Sequence, residues 1–207
     1  MKSLSRRIML KFTGLHAAVF GVSSRVLAEP QKLTAPQEDG IKSSDEETLI
    51  SWNHTHDRVW LDSRLWANPM EDWRVKNGSA ECQTNGGNRN LHLITHLWTN
   101  PAGSAQMVVT VEQVDEQQKG ASVGFRLGTK SELNEYRSNC FASGGIDAGV
   151  EEGCLKLGRS KGNLPIDLKT KTKLFLSATP QGSETKIHLK AETLSGEKID
   201  EVITTVP

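Results

Sequence analysis

GGNRNLHLITH, residues 86–96, places two glycines, an arginine and a His-x-x-x-His pair at the entry to a short apolar run. On a helix, His92 and His96 would stack one turn apart and share a zinc ion. The zinc-protease form of that pair requires Glu directly after the first His, and Leu93 stands there. On a strand the two residues share a face, but steps of ~3.3 Å put their backbones ~13 Å apart. That is too far for one ion held by bonds of ~2.1 Å. Leu91, Leu93, Thr95 and Leu97 then alternate with His92, Ile94, His96 and Trp98, so the stretch reads as a glycine bend leading into a strand. It is no phosphate loop, because Gly86-Gly87 has neither G-x-x-x-x-G-K-[ST] nor G-x-G-x-x-G spacing.

The same grammar extends outward. Asn77-Gly78, Gly86-Gly87, Pro101-Ala102-Gly103, Lys119-Gly120, Gly144-Gly145, Gly153, Gly162, Gln181-Gly182 and Ser195-Gly196 supply turn chemistry roughly every ten residues. Between them apolar residues alternate. Met107, Val109 and Val111 oppose Thr110 and Glu112; Leu174, Leu176 and Ala178 oppose Lys173, Ser177 and Thr179; Ile187, Leu189 and Ala191 oppose Lys186, His188 and Lys190. Period two with spaced turns predicts an all-β, antiparallel β-sandwich over residues 49–207, with one face packed and one wet.

The amino terminus follows other rules. Ser5-Arg6-Arg7 with Leu10 and Lys11 matches the twin-arginine export pattern S-R-R-x-F-L-K, with Met9 in place of Phe. A short apolar run follows, and Val26-Leu27-Ala28 offers small or short side chains for cleavage after Ala28. The run falls short of the ~20 residues that span a bilayer, so residues 1–28 read as a leader and not a membrane span. The twin-arginine translocase is the expected partner, and periplasm, cell surface or extracellular space the expected location. Residues 29–48, rich in Pro, Gln, Ser and acids, read as a flexible linker. The leader carries five of the 25 basic residues and no acid, so its loss leaves 20 basic against 25 acidic residues. Such a balance excludes the clustered positive charge of nucleic-acid binding.

Candidate chemistry is sparse. Cys82, Cys140 and Cys154 cannot all pair; a Cys140–Cys154 bridge and three buried thiols both remain open, and the spacing fits no zinc site. His54, His56 and Asp57 form an H-x-H-D group without a third ligand nearby, which reads as a surface turn more readily than as a metal site. Gly144 to Glu152 is acidic but lacks the ligand spacing of an EF-hand. Glu71/Asp72 and Glu112/Asp115 are carboxylate pairs of the type used in glycoside hydrolysis, with nothing in the sequence to select either. No G-x-S-x-G elbow occurs. Trp52, Trp60, Trp66 and Trp73 crowd a short stretch, and Trp98 follows; each either fills the core or stacks on a sugar.

The stretch WLDSRLWANPMEDWRVKNGSAECQTNGGNRNLHLITH, residues 60–96, followed by ASVGFRLG, NEYRSN and GGIDAGV, resembles the amino-terminal region of bacterial alkaline-phosphatase-D-like (PhoD-like) metallophosphatases. The Trp, Val-x-Asn-Gly, His-Leu-x-Thr and Gly-Phe-Arg pattern is also similar to the sandwich of 3-keto-disaccharide-hydrolase-type domains. The resemblance covers about residues 49–206, and WANPMEDWRV and GGNRNLHLITH are its most specific pieces. It implies a concanavalin- or laminin-G-like jelly roll standing ahead of a catalytic domain. The catalytic motifs D-x-H, G-D and G-N-H-[DE] are absent from this chain, so no catalytic or metal residue carries over. Divalent metals are expected only in a downstream phosphatase domain, and the chain reads as a module lacking its last strands. The alternative is a stand-alone carbohydrate-binding module for a cell-surface glycan. Candidate ligand-binding residues are Trp66, Trp73, Arg89, His92 and Asp147.

Overall fold

The computed structural model describes residues 8–19, 44–84, 89–95, 103–114, 122–128 and 145–207. The strands are β1 (Ile8–Val19), β2 (Ser44–Thr48), β3 (Leu65–Asn68), β4 (Trp73–Lys76), β5 (Ser79–Cys82), β6 (Asn90–Leu93) and β7 (Ala105–Gln113). They continue as β8 (Ser122–Leu127), β9 (Ile146–Glu151), β10 (Cys154–Leu157), β11 (Ser160–Pro165), β12 (Thr172–Gln181), β13 (Glu184–Thr193) and β14 (Lys198–Val206). A single 3-10 turn, Met70–Asp72, is the only helical element among the described residues. The all-β, antiparallel expectation therefore holds.

Hydrogen bonding arranges the strands in three sheets. The largest, eight-stranded, runs β14-β13-β12-β7-β1-β5-β4, with β2 attached to β1. A four-stranded sheet runs β11-β10-β9-β8, and β3 and β6 form a two-stranded ribbon. Strands β10 and β11 pack over β13 and β14, so the smaller sheet covers one end of the larger in sandwich fashion. One core joins all three: Val109, Leu174 and Leu189 of the large sheet meet Val150, Leu155 and Leu157 of the small one, with Leu65 and Ala67 of the ribbon. The alternation in β12 and β13 behaves as the sequence predicts, with Leu174, Leu176, Ala178, Ile187, Leu189 and Ala191 all buried. Strand β7 departs from it. Thr110, assigned to the wet face, is only 2 % exposed, and it lies opposite Lys173 of β12.

Local turn chemistry explains the hairpins. Asn77 and Gly78 both adopt positive φ, 49° and 69°. This is the two-residue turn whose twist matches flanking antiparallel strands, and it joins β4 to β5. The pair Gly124 and Gly149 meets a different need. They lie opposite each other in β8 and β9, and a Cβ on Gly149 would collide with the Val123 carbonyl oxygen.

The amino terminus meets the sheet directly. Strand β1, within the expected leader, lies between β7 and β5 and pairs antiparallel with both. Strand β2, at the end of the expected linker, pairs with β1 from Ser44 to Thr48. Cleavage after Ala28 would withdraw β1 from between its two neighbours. Ser5, Arg6, Arg7 and Ala28 lie outside the described residues, while Leu10 and Lys11 fall on β1.

Candidate functional site

The ribbon gathers most of the sequence-derived candidates. In its register Trp66 faces His92 and Asn68 faces Asn90, while Leu65 and Ala67 face Leu93 and Leu91. Alternation thus sends the leucines and alanine to the core and leaves an indole, an imidazole and two amides on the opposite face. The Trp66 indole is fixed there, its Nε1 donating to Asn68 Oδ1 at 2.9 Å. Burial holds the His92 imidazole below the ordinary histidine range, so the neutral ring is favoured.

Two ion pairs brace this ribbon. Arg64 forks onto Asp62, Nε to Oδ1 at 2.8 Å and Nη2 to Oδ2 at 3.0 Å. The Arg64 guanidinium holds the Asp62 carboxyl below its usual range, and the Arg64 carbonyl accepts the Ile94 amide at 2.9 Å. Arg89, just ahead of β6, donates from Nε to Asp72 Oδ2 at 2.9 Å. Asp72 is buried in the 3-10 turn, and its carbonyl accepts the Gln83 amide at 2.7 Å. The pair therefore joins Arg89 of the glycine-bend stretch to the turn between β3 and β4.

The candidates thus separate. Trp66 and His92 are cross-strand neighbours, and Arg89 is anchored beside them to Asp72. Trp73, 3 % exposed, is a core residue opposite Cys82 and presents no ring face to a ligand. Asp147 stands on the four-stranded sheet, where Arg126 of β8 grips it with Nη2 to Oδ2 at 2.9 Å and holds its carboxyl below the usual range. Cys82 and Cys154 are free thiols, and burial pushes the Cys82 thiol up; Cys140 lies outside the described residues, as do His96 and Trp98.

The remaining candidates give no catalytic constellation. Glu71 is exposed, and its neighbour Asp72 is committed to Arg89. Glu112 lies 3.8 Å from Lys171 Nζ, and Asp115 is outside the described residues. His54, His56 and Asp57 are exposed on the loop before β3. Among the described residues no three His, Cys, Asp or Glu side chains stand close enough to hold a metal ion. The sequence reading weighed Trp60 with the other tryptophans but did not single it out; it is 54 % exposed, and the Arg58 guanidinium, which the sequence reading missed, lies over its ring, 5.3 Å from the centroid. The available signal was its shared parity with Arg58, which sets both on one side of an extended chain.

No family model, curated protein or solved structure matches the chain.

Proposed function

We propose that the chain is a non-catalytic, jelly-roll β-sandwich module of an exported phosphoester hydrolase, with the hydrolytic chemistry in a downstream domain that it packs against and positions. The observation that carries this reading concerns the two stretches most specific to the resemblance. WANPMEDWRV supplies most of β3, the 3-10 turn and most of β4; the described part of GGNRNLHLITH supplies Arg89 and β6. Residues 76–85 separate them in sequence, and they form one unit through the β3–β6 ladder and the Arg89–Asp72 pair. The tryptophans add weight. Trp52 and Trp73, at 1 % and 3 % exposure, serve the core and not a sugar platform. Trp52 Nε1 is also satisfied internally, by the Leu61 carbonyl at 2.9 Å.

Export belongs to the same proposal. A leader that carries folded cargo suits a protein whose metals are loaded before transport. The test is to express the full chain in a bacterium with a working twin-arginine pathway and to fractionate the cells. Periplasmic protein beginning at Glu29 is expected, with retention in the cytoplasm for the Arg6→Lys, Arg7→Lys double variant. Equal export of that variant overturns the export claim. Purified chain supplied with calcium, manganese or iron should leave bis(4-nitrophenyl) phosphate intact; metal-dependent turnover abolished by a chelator would overturn the non-catalytic claim.

A further inference from the structure

The loop between Trp52 and β3 is held more firmly than a surface connection requires. Thr55 donates from its amide and its hydroxyl to the Trp52 carbonyl, at 3.0 and 2.9 Å. Arg58 and Val75 of β4 exchange both main-chain hydrogen bonds, at 3.0 and 2.7 Å. The Arg58 side chain then folds along its own loop, Nε donating to the Trp60 carbonyl at 2.7 Å and Nη2 to the Leu61 carbonyl at 2.9 Å. Asp57 Oδ1 accepts the Asn77 amide at 2.9 Å, tying the loop to the β4–β5 turn. The braced segment carries Val59, 78 % exposed, and Trp60, 54 % exposed, at its tip.

We propose that this tip is a stacking platform for a glycan, taking one pyranose ring of a β-linked chain on the indole of Trp60. Size selects the ligand class. A stable protein interface buries about 800 Å² on each partner, whereas the apolar surface here is one valine and one indole. An indole matches a single sugar ring, and a pyranose with equatorial hydroxyls presents a flat face of axial C–H groups to it. The rest of the loop exposes Asn53, His54, His56 and Asp57, side chains able to donate to and accept from hydroxyls. Preorganisation is the second argument. Arg58, its guanidinium over one face of the indole and 5.3 Å from the ring centroid, is pinned by main-chain acceptors, so that face is backed in advance and the sugar is assigned to the opposite one. One stacked ring with a few hydroxyl contacts gives a dissociation constant on the order of 1 mM. The site is separate from the Trp66–His92 pair and independent of the phosphatase reading.

Saturation-transfer NMR on the full chain with cellohexaose, xylohexaose and chitohexaose as probes tests it. Transfer to at least one hexasaccharide is expected, strongest at the axial H1, H3 and H5 protons. Trp60→Ala should weaken that binding at least about tenfold, the equivalent of roughly 1.4 kcal/mol, and Trp60→Phe should lose less. Unchanged melting of both variants would show that only the exposed ring was altered. Absence of transfer to all three probes overturns the proposal. So does binding that survives Trp60→Ala, which would move the sugar elsewhere on the molecule.

Discussion

Asp200 links the eight-stranded and four-stranded sheets through a single carboxylate. It is buried on β14, its Oδ2 accepts the Leu164 amide of β11 at 3.1 Å, and its Oδ1 accepts the Glu201 amide at 2.9 Å. A side chain on Gly162 would collide with the same carboxylate, so glycine there keeps the acid in place. Asp200→Ala leaves the Leu164 amide without this acceptor and should cost about 1.5–3 kcal/mol in urea unfolding. A loss below about 0.5 kcal/mol, the scale of an ordinary surface change, would deny the carboxylate this role. His92 makes a prediction in pH. Burial lowers its folded pKa, so the unfolded chain takes up the proton at a higher pH than the folded chain. Its contribution is complete above the unfolded value and is lost as pH falls through the lower folded value. His92→Gln should therefore flatten the decline in unfolding free energy between about pH 7 and pH 5; an unchanged slope would contradict the assignment. At this scale the sequence was partly legible. The Trp66, His92 and Arg89 candidates converge on one ribbon, but nothing local could show that Arg89 reaches Asp72, because ion pairing across seventeen positions depends on the β3–β6 register.

Among the elements, strands with plain alternation were readable and closely packed ones less so. Period two placed β12 and β13 because each buries one face, and Asn77-Gly78 marked its hairpin because both residues accept positive φ. The four residues of β5 are all buried, so no alternation marks them. Of the two ribbon strands, β6 was readable from its alternation, whereas β3, four residues long, is too short for a periodic signal. The Gly124–Gly149 contact is likewise invisible in one dimension. Gly149→Ala forces a Cβ against the Val123 carbonyl and should destabilise by roughly 1–3 kcal/mol, measured by denaturant melts; a neutral result would show that β8 and β9 are not this close. Strand β1 is the element that sequence reasoning assigned to a leader. Since it pairs with β2, β5 and β7, a chain beginning at Glu29 loses three ladders at once. Residues 29–207 should melt below the full chain and exchange amides faster at residues 80–82 and 108–113. Matching melts and exchange would mean that β1 contributes nothing to the sheet.

For the molecule as a whole, the fold is three antiparallel sheets around one core, and export belongs to the proposed function. Among the described residues no three His, Cys, Asp or Glu side chains gather to hold a metal ion, and the polar contacts Arg64–Asp62, Arg89–Asp72 and Asp200–Leu164 brace loops and edges. In the proposed reading the sandwich holds another domain in place, and the exposed Trp60 tip is its surface for a sugar. The proposed phosphatase connection rests on WANPMEDWRV and GGNRNLHLITH, whose described residues pack together through the β3–β6 ladder and the Arg89–Asp72 pair. The measurement that tests this account most directly is to sequence the natural transcript past the codon for Pro207. The account predicts an open frame running through further strand-forming sequence into D-x-H, G-D and G-N-H-[DE] motifs. A stop codon directly after Pro207 would contradict it.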